Sequence, residues 1–182
     1  MIRKKIETIL LETERPGMDY LIDYMEDNGF FTAPCSGSHH LAKVGGLAEH
    51  SLNVYNVAMN LHNSLCFKED STESIAICAL LHDIGKIGQY GKPNYVQNIL
   101  KTGRVSDSKP YTTNPKLQYI DHEIRSIAII SKFIELTEDE QFAILYHNGM
   151  YGNLKYSLSG KETPLYLIIH FSDMWASRFL EV

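Results

Sequence analysis

Three positions put a metal-competent side chain where helical spacing calls for an apolar one. His50 lies three residues after Leu47 and four before Val54; His82 lies three after Ala79 and seven after Ile75. Asp173 lies four after Ile169, three before Ala176 and seven before Leu180. Steps of three, four and seven keep these side chains on the inward stripe of their helices. In ALLHDIGK, Ala79 to Lys86, the apolar run ends on two adjacent polar groups, His82 and Asp83. A buried, unpaired carboxylate is costly, so an inward Asp173 requires a cation or strong donors. A hydrogen-bonded core histidine or a capping aspartate accounts for any one of these positions alone. Taken jointly, imidazole nitrogen and carboxylate oxygen converging from separate helices is how a divalent transition metal is held. Cys35, Cys66 and Cys78 are odd in number and form no CxxC pair, which argues against a disulfide framework and a thiolate zinc site.

Helices must do the positioning. Met18 to Asn28 carries Leu21, Ile22 and Met25 at helical spacing, and Gly29 follows where a left-handed cap belongs. Phe30 to Lys43, with Pro, Gly and three Ser or Thr residues, reads as a loop. Leu47 to about His62 is a second amphipathic helix, with Leu47, Val54, Ala58 and Leu61 on one side. Ser71 to Ser74 supplies cap and first-turn acid chemistry for a helix that ends near Asp83. Asp121 to Leu136 and Glu138 to about His147 are two more, the latter opening with a Thr137 and Glu140 capping box. Pro164 starts a last helix, Leu165 to Leu180. The predicted fold class is mainly α, with Tyr55, Phe67, Tyr146 and Trp175 expected in the core.

Between Gly85 and Gln118 the pattern changes. Tyr95 to Leu100 and Val105 to Tyr111 flank Lys101-Thr102-Gly103-Arg104, which predicts a small hairpin. Lys86, Lys92, Lys101, Arg104, Lys109 and Lys116 face only Asp107 here, six cations against one acid, or +5 in a chain of net charge -5. A solvated surface loop explains this; so does a basic flap over an anionic substrate, with Tyr90, Tyr95 and Tyr111 available to stack on bases.

His50, then His82-Asp83, then Asp173 resembles the H...HD...D pattern of the HD-domain superfamily of metal-dependent phosphohydrolases. GGLAEHSLNV (Gly45 to Val54), ALLHDIGK, the Asp121-His122-Glu123 piece, LYHNGMYG (Leu145 to Gly152) and PLYLIIHFSDMWAS (Pro164 to Ser177) fall in the family's order. The resemblance implies one HD domain over residues 1–182: a helical bundle with a helical segment at 1–28 and a basic hairpin insertion at 86–118. It implies that His50, His82, Asp83 and Asp173 hold one divalent ion, with Asp83 bridging to a second ion completed by His122 and His147. Mn²⁺, Fe²⁺, Ni²⁺, Co²⁺ or Zn²⁺ suits such donors. Hydroxide on the metal would then attack a phosphoester, with Asp83 and Lys86 as catalytic residues and His39, His40, Lys86, Lys92 and Arg104 as substrate contacts. The motifs are similar to those of the HD domain of bacterial 3'-5' exoribonucleases, whose additional OB-type domain has no room in this sequence.

Length and charge narrow the substrate. At 182 residues, 44% hydrophobic and 21% charged, the chain fits one globular domain. A pI near 5.9 gives no general attraction to nucleic acid or anionic membrane, and no apolar run approaches the roughly 20 residues of a membrane span. The N-terminal MIRKKIETILLETE has neither an apolar core nor a small-residue cleavage site, so a cytoplasmic address is expected. The expected substrate is therefore a nucleotide or short oligonucleotide carrying a phosphoester or phosphodiester, with long nucleic acid disfavoured. A noncatalytic nucleotide-binding regulatory module that keeps the metal site is the alternative, and an HD-type oxygenase with a di-iron centre a more distant one.

Overall fold

The computed structural model describes residues 1–65 and 72–182. Cys66, Phe67 and the expected cap at Ser71 lie outside the described residues. The organising element is α4, Thr72–Leu81, in which every residue from Ile75 to Leu81 is buried. A helix that is apolar on all sides has to sit in the middle of a fold. Around it pack α1 (Ile2–Leu11), α3 (Gly46–Leu65), α6 (Glu138–Tyr146) and α8 (Pro164–Trp175), with α3 and α6 each also against α8. Each contributes one apolar stripe: Ile6 and Leu10 from α1, Leu47, Val54 and Ala58 from α3, Ala143 and Ile144 from α6, and Leu165, Ile168 and Ile169 from α8. α2 (Met18–Asp27) packs on α1, and Gly29 follows it at φ 79°, the left-handed conformation expected there. Thr163 caps α8 by accepting from the backbone N–H of Tyr166, with Pro164 in the first turn.

The structure is mainly α with a small two-stranded hairpin, but several boundaries move. α5 spans His122–Ile130, not the longer helix predicted to Leu136. Beyond Ile130 the backbone tightens, Lys132 and Phe133 bonding to the carbonyls three residues back. Arg15 then holds the Glu135 carbonyl at 2.6 Å, drawing this turn onto the N-terminal segment. Thr137 caps α6 with the reciprocal Glu140 bond expected. A short helix, α7 (Lys155–Leu158), comes from a stretch with no sequence reading. The hairpin pairs β1 (Tyr95–Gln97) with β2 (Tyr111–Thr113), Tyr95 opposite Thr113, while Ile99 meets Val105 nearer the tip. Residues 107–109 bulge out of the second arm between Ser106 and Pro110, both bonded to Asn98, so the regular strand lies further along the chain than predicted. Tyr55 and Tyr146 pack against the core, whereas Trp175, expected inside, is 53% exposed and lies against Phe179. No helix among the described residues is long and apolar enough to cross a membrane.

Candidate metal centre

The buried helix α4 delivers the first two groups. Its last turn carries His82, whose N–H still bonds to the Cys78 carbonyl, and Asp83 then leads into a tight helical turn, Ile84–Ile87. Both side chains are buried in consequence. Gly85 makes the next step possible. A Cβ there would stand 2.2 Å from the His122 carbonyl oxygen and 2.9 Å from the Ser126 nitrogen, so only glycine lets α5 come this close. The Gly85 N–H donates to Ser126 Oγ at 2.8 Å and fixes the approach. α5 thereby sets His122 over Asp83, α3 brings His50, the end of α6 brings His147, and α8 brings Asp173.

These six side chains form one cluster. His50 Nε2 lies 3.1 Å from Asp173 Oδ1 and 3.6 Å from Asp83 Oδ2; His82 Nε2 lies 3.4 Å from Asp83 Oδ2. On the other side of the same carboxylate, Asp83 Oδ1 is 3.1 Å from His122 Nε2 and 3.6 Å from His147 Nε2, and those two nitrogens are 3.4 Å apart. Metal–ligand bonds of about 2.0–2.1 Å at tetrahedral or octahedral angles put neighbouring donor atoms roughly 3 to 3.4 Å apart. The observed spacings match that scale. Three overlapping sets place their donor atoms within reach of one ion: His50 with His82 and Asp173, His82 with Asp83 and His147, and, at the edge of the cluster, His50 with His40 and Cys35.

The other nitrogen of each imidazole is engaged. His82 Nδ1 meets the Ala79 carbonyl at 3.0 Å and His147 Nδ1 the Ile144 carbonyl at 2.8 Å, in both cases one turn back. His50 Nδ1 meets both oxygens of Glu181 at 3.0 and 3.1 Å, and His122 Nδ1 faces Glu123 at 3.3 Å. Held through Nδ1, each ring aims Nε2 at the centre, the arrangement that orients histidine ligands. Yet His50 Nε2, His82 Nε2 and Asp83 Oδ1 are buried without a hydrogen-bond partner. Buried polar atoms are rarely left so. Burial would raise the Asp83 carboxyl, but Lys86, with Nζ 2.6 Å from Oδ2, and His82 hold it well below the usual range. Burial and the neighbouring His82 push His147 down to about 3, leaving a neutral imidazole. Charged carboxylate and neutral imidazole are the forms a metal takes. The oxygen and nitrogen donors, their spacing and the unsatisfied buried atoms all fit a divalent transition metal.

A cleft of about 620 Å³ opens onto this cluster, lined by His147 and Asp173 and by Lys86, His39 and His40. Lys92 and Arg104, expected as substrate contacts, do not line it: both are exposed on the hairpin segment, Lys92 in a tight turn with Gln89 and Arg104 at the tip. A run of charge along a hairpin says nothing about which way the hairpin points. The cleft's other cation is Arg178, over the Tyr151 ring at 5.5 Å, and Tyr95 also lines it. His170 lines the cleft while its Nδ1 meets the His147 carbonyl at 2.7 Å. Asn148 and Glu181 were also missed. Asn148 follows His147 and donates to Glu123 at 2.6 Å, an adjacency that could have flagged it; nothing in the sequence marks Glu181.

The chain belongs to the HD domain family, whose model matches residues 47–171. That span contains His50, His82, Asp83, His122 and His147, and ends two residues before Asp173. No curated protein and no solved structure matches the chain. Family membership and the donor cluster together indicate a divalent-metal site and hydrolytic chemistry on a phosphorylated substrate.

Proposed function

We propose that this protein is a metal-dependent phosphohydrolase that cleaves a phosphoester or phosphodiester bond in a nucleotide or short oligonucleotide. The observation that carries the reading is the set of three buried, unpartnered atoms, His50 Nε2, His82 Nε2 and Asp83 Oδ1, in a cluster of donors spaced for ligation. His50, His82, Asp83 and Asp173 would hold one ion, and Asp83, His122 and His147 a second. Bound there, divalent ions supply Lewis acidity toward phosphoryl oxygens and a water acidic enough to act near neutral pH.

The protein's own residues do the rest. Lys86 is only 14% exposed and its Nζ reaches both Asp83 and the cleft, so it fixes that carboxylate and offers a charge to a phosphoryl oxygen. Arg178, His39 and His40 give the same cleft further donors for an anionic substrate, while Tyr95 and Tyr151 offer ring faces to a base. The acidity of the chain as a whole favours small substrates over long nucleic acid.

The test strips the protein of metal, reloads it separately with Mn²⁺, Fe²⁺, Co²⁺, Ni²⁺ or Zn²⁺, and offers nucleoside monophosphates, cyclic and linear dinucleotides and short oligonucleotides. The expected result is phosphate or nucleotide release with at least one ion, absent in Asp83→Asn. Bound metal with no turnover of any substrate would overturn the hydrolase reading. Tight binding of a nucleotide recovered intact after long incubation would replace it with a regulatory role.

A further inference from the structure

Glu181 lies beyond the segment that matches the family and beyond the last regular turn of α8. From Ala176 to Leu180 the chain forms a π-helical turn, closed by the Glu181 N–H on the Ala176 carbonyl at 3.1 Å. The turn packs against both α8 and α3. Such turns concentrate at functional sites. Its effect here is to bury the Glu181 carboxylate, 1% exposed, against α3. Asn53, three residues after His50 and so on the same face of α3, donates to Oε1 at 3.0 Å. Both oxygens also meet His50 Nδ1. Among the described residues the ionisable side chains within ion-pair distance of it are imidazoles alone: His50, and His40 at 3.9 Å. Among those residues no lysine or arginine lies within ion-pair distance of it, so His50 and Asn53 carry its hydrogen bonds.

The other fully buried rings are held differently. His82 and His147 rest on backbone carbonyls of their own helices, acceptors that every helix supplies. Of these three rings, His50 is the one that directs its Nδ1 to a carboxylate, 131 residues away. A carboxylate acceptor fixes the tautomer with hydrogen on Nδ1 and makes Nε2 a stronger donor to a metal.

We propose that Glu181 is a positioning residue that orients and strengthens His50 as a ligand and so sets the affinity of the first ion position for a divalent cation. The inference rests on the metal-dependent reading above. Its test is a Co²⁺ titration of metal-free protein against a chromophoric chelator, for wild type, Glu181→Ala and Glu181→Gln, with circular dichroism as the check on folding. Glu181→Ala is expected to bind Co²⁺ about 10 to 100-fold more weakly, with altered visible absorption of the bound ion. Glu181→Gln, which keeps the shape and an oxygen for Asn53, is expected to fall between the two, and it carries the test if the alanine variant does not fold. Wild-type Co²⁺ affinity in the folded glutamine variant overturns the proposal and leaves Glu181 a dock for the chain's last turn. Absence of Co²⁺ binding by wild type overturns the proposal and the metal reading together, which separates the two failures.

Discussion

Glu140 and Asp83 are both buried carboxylates, one at the foot of α6 and one at the end of α4, and the protein treats them in opposite ways. Every acceptor position of Glu140 is used. Oε1 takes Arg15 Nη2 and Ser74 Oγ, each at 2.8 Å; Oε2 takes Arg15 Nη1 at 3.1 Å and the Thr137 N–H at 2.8 Å. Asp83 has Lys86 on one oxygen and only imidazole nitrogens around the other, which has no hydrogen bond. Burial alone therefore does not mark a functional charge. A satisfied carboxylate holds the fold together, and an unsatisfied one among imidazoles is what a cation site would require.

The contrast breaks first at Asp83. Asp83→Asn is expected to cut metal-dependent turnover by more than about a hundredfold, beyond what loss of a supporting partner costs, while the metal-free protein still folds. A variant that unfolds instead would make Asp83 the same kind of residue as Glu140. Next comes Arg15→Ala, which strands Glu140. A loss of about 3–5 kcal/mol in urea unfolding is expected, with Co²⁺ affinity of the folded fraction intact. Saturating metal sharpens the contrast: at about a hundred times Kd it adds about 2.7 kcal/mol to wild type and to Glu140→Gln, and nothing to Asp83→Asn, in the same unfolding assay.

A smaller effect comes from pH. Burial works to raise the Glu140 carboxyl, but Arg15 and the Thr137 N–H hold it below its ordinary value. A depressed folded value means the stabilisation is fully present above the unfolded value of about 4.3 and is lost as pH falls through the folded one. Unfolding midpoints of wild type should therefore drop between about pH 5 and pH 3 more steeply than those of Glu140→Gln. An equal slope in both would mean that other groups carry the acid limb. The smallest change is expected at Lys92→Ala and Arg104→Ala, less than about twofold in kcat/KM, as for exposed surface substitutions; Arg178→Ala should raise KM by more than either.

The features legible in the sequence are those that periodicity can carry. His50, His82 and Asp173 stand out because a polar group on an apolar stripe is a local contradiction, readable within a dozen residues. The Thr137 and Glu140 capping box is similarly local. The early end of α5 is not, and the turn that follows it is held from far away, by Arg15 on the Glu135 carbonyl 120 positions back. Glu181 and Arg178 escape for the same reason: their relevance is created by a π-helical turn that no spacing rule announces. Lys92 and Arg104 are the converse case: composition registered their charge but not their place, a turn ahead of β1 and the hairpin tip, away from the lining of the cleft.

The donor set runs from His50 to Asp173, with Glu181 closing onto His50 from the far end. A cation held at that junction works as a clasp between early and late parts of the polypeptide. A protease nick in an intervening loop, such as the hairpin tip at Gly103, would leave complementary fragments each carrying part of the cage, and the ion itself would help keep the severed pieces in register.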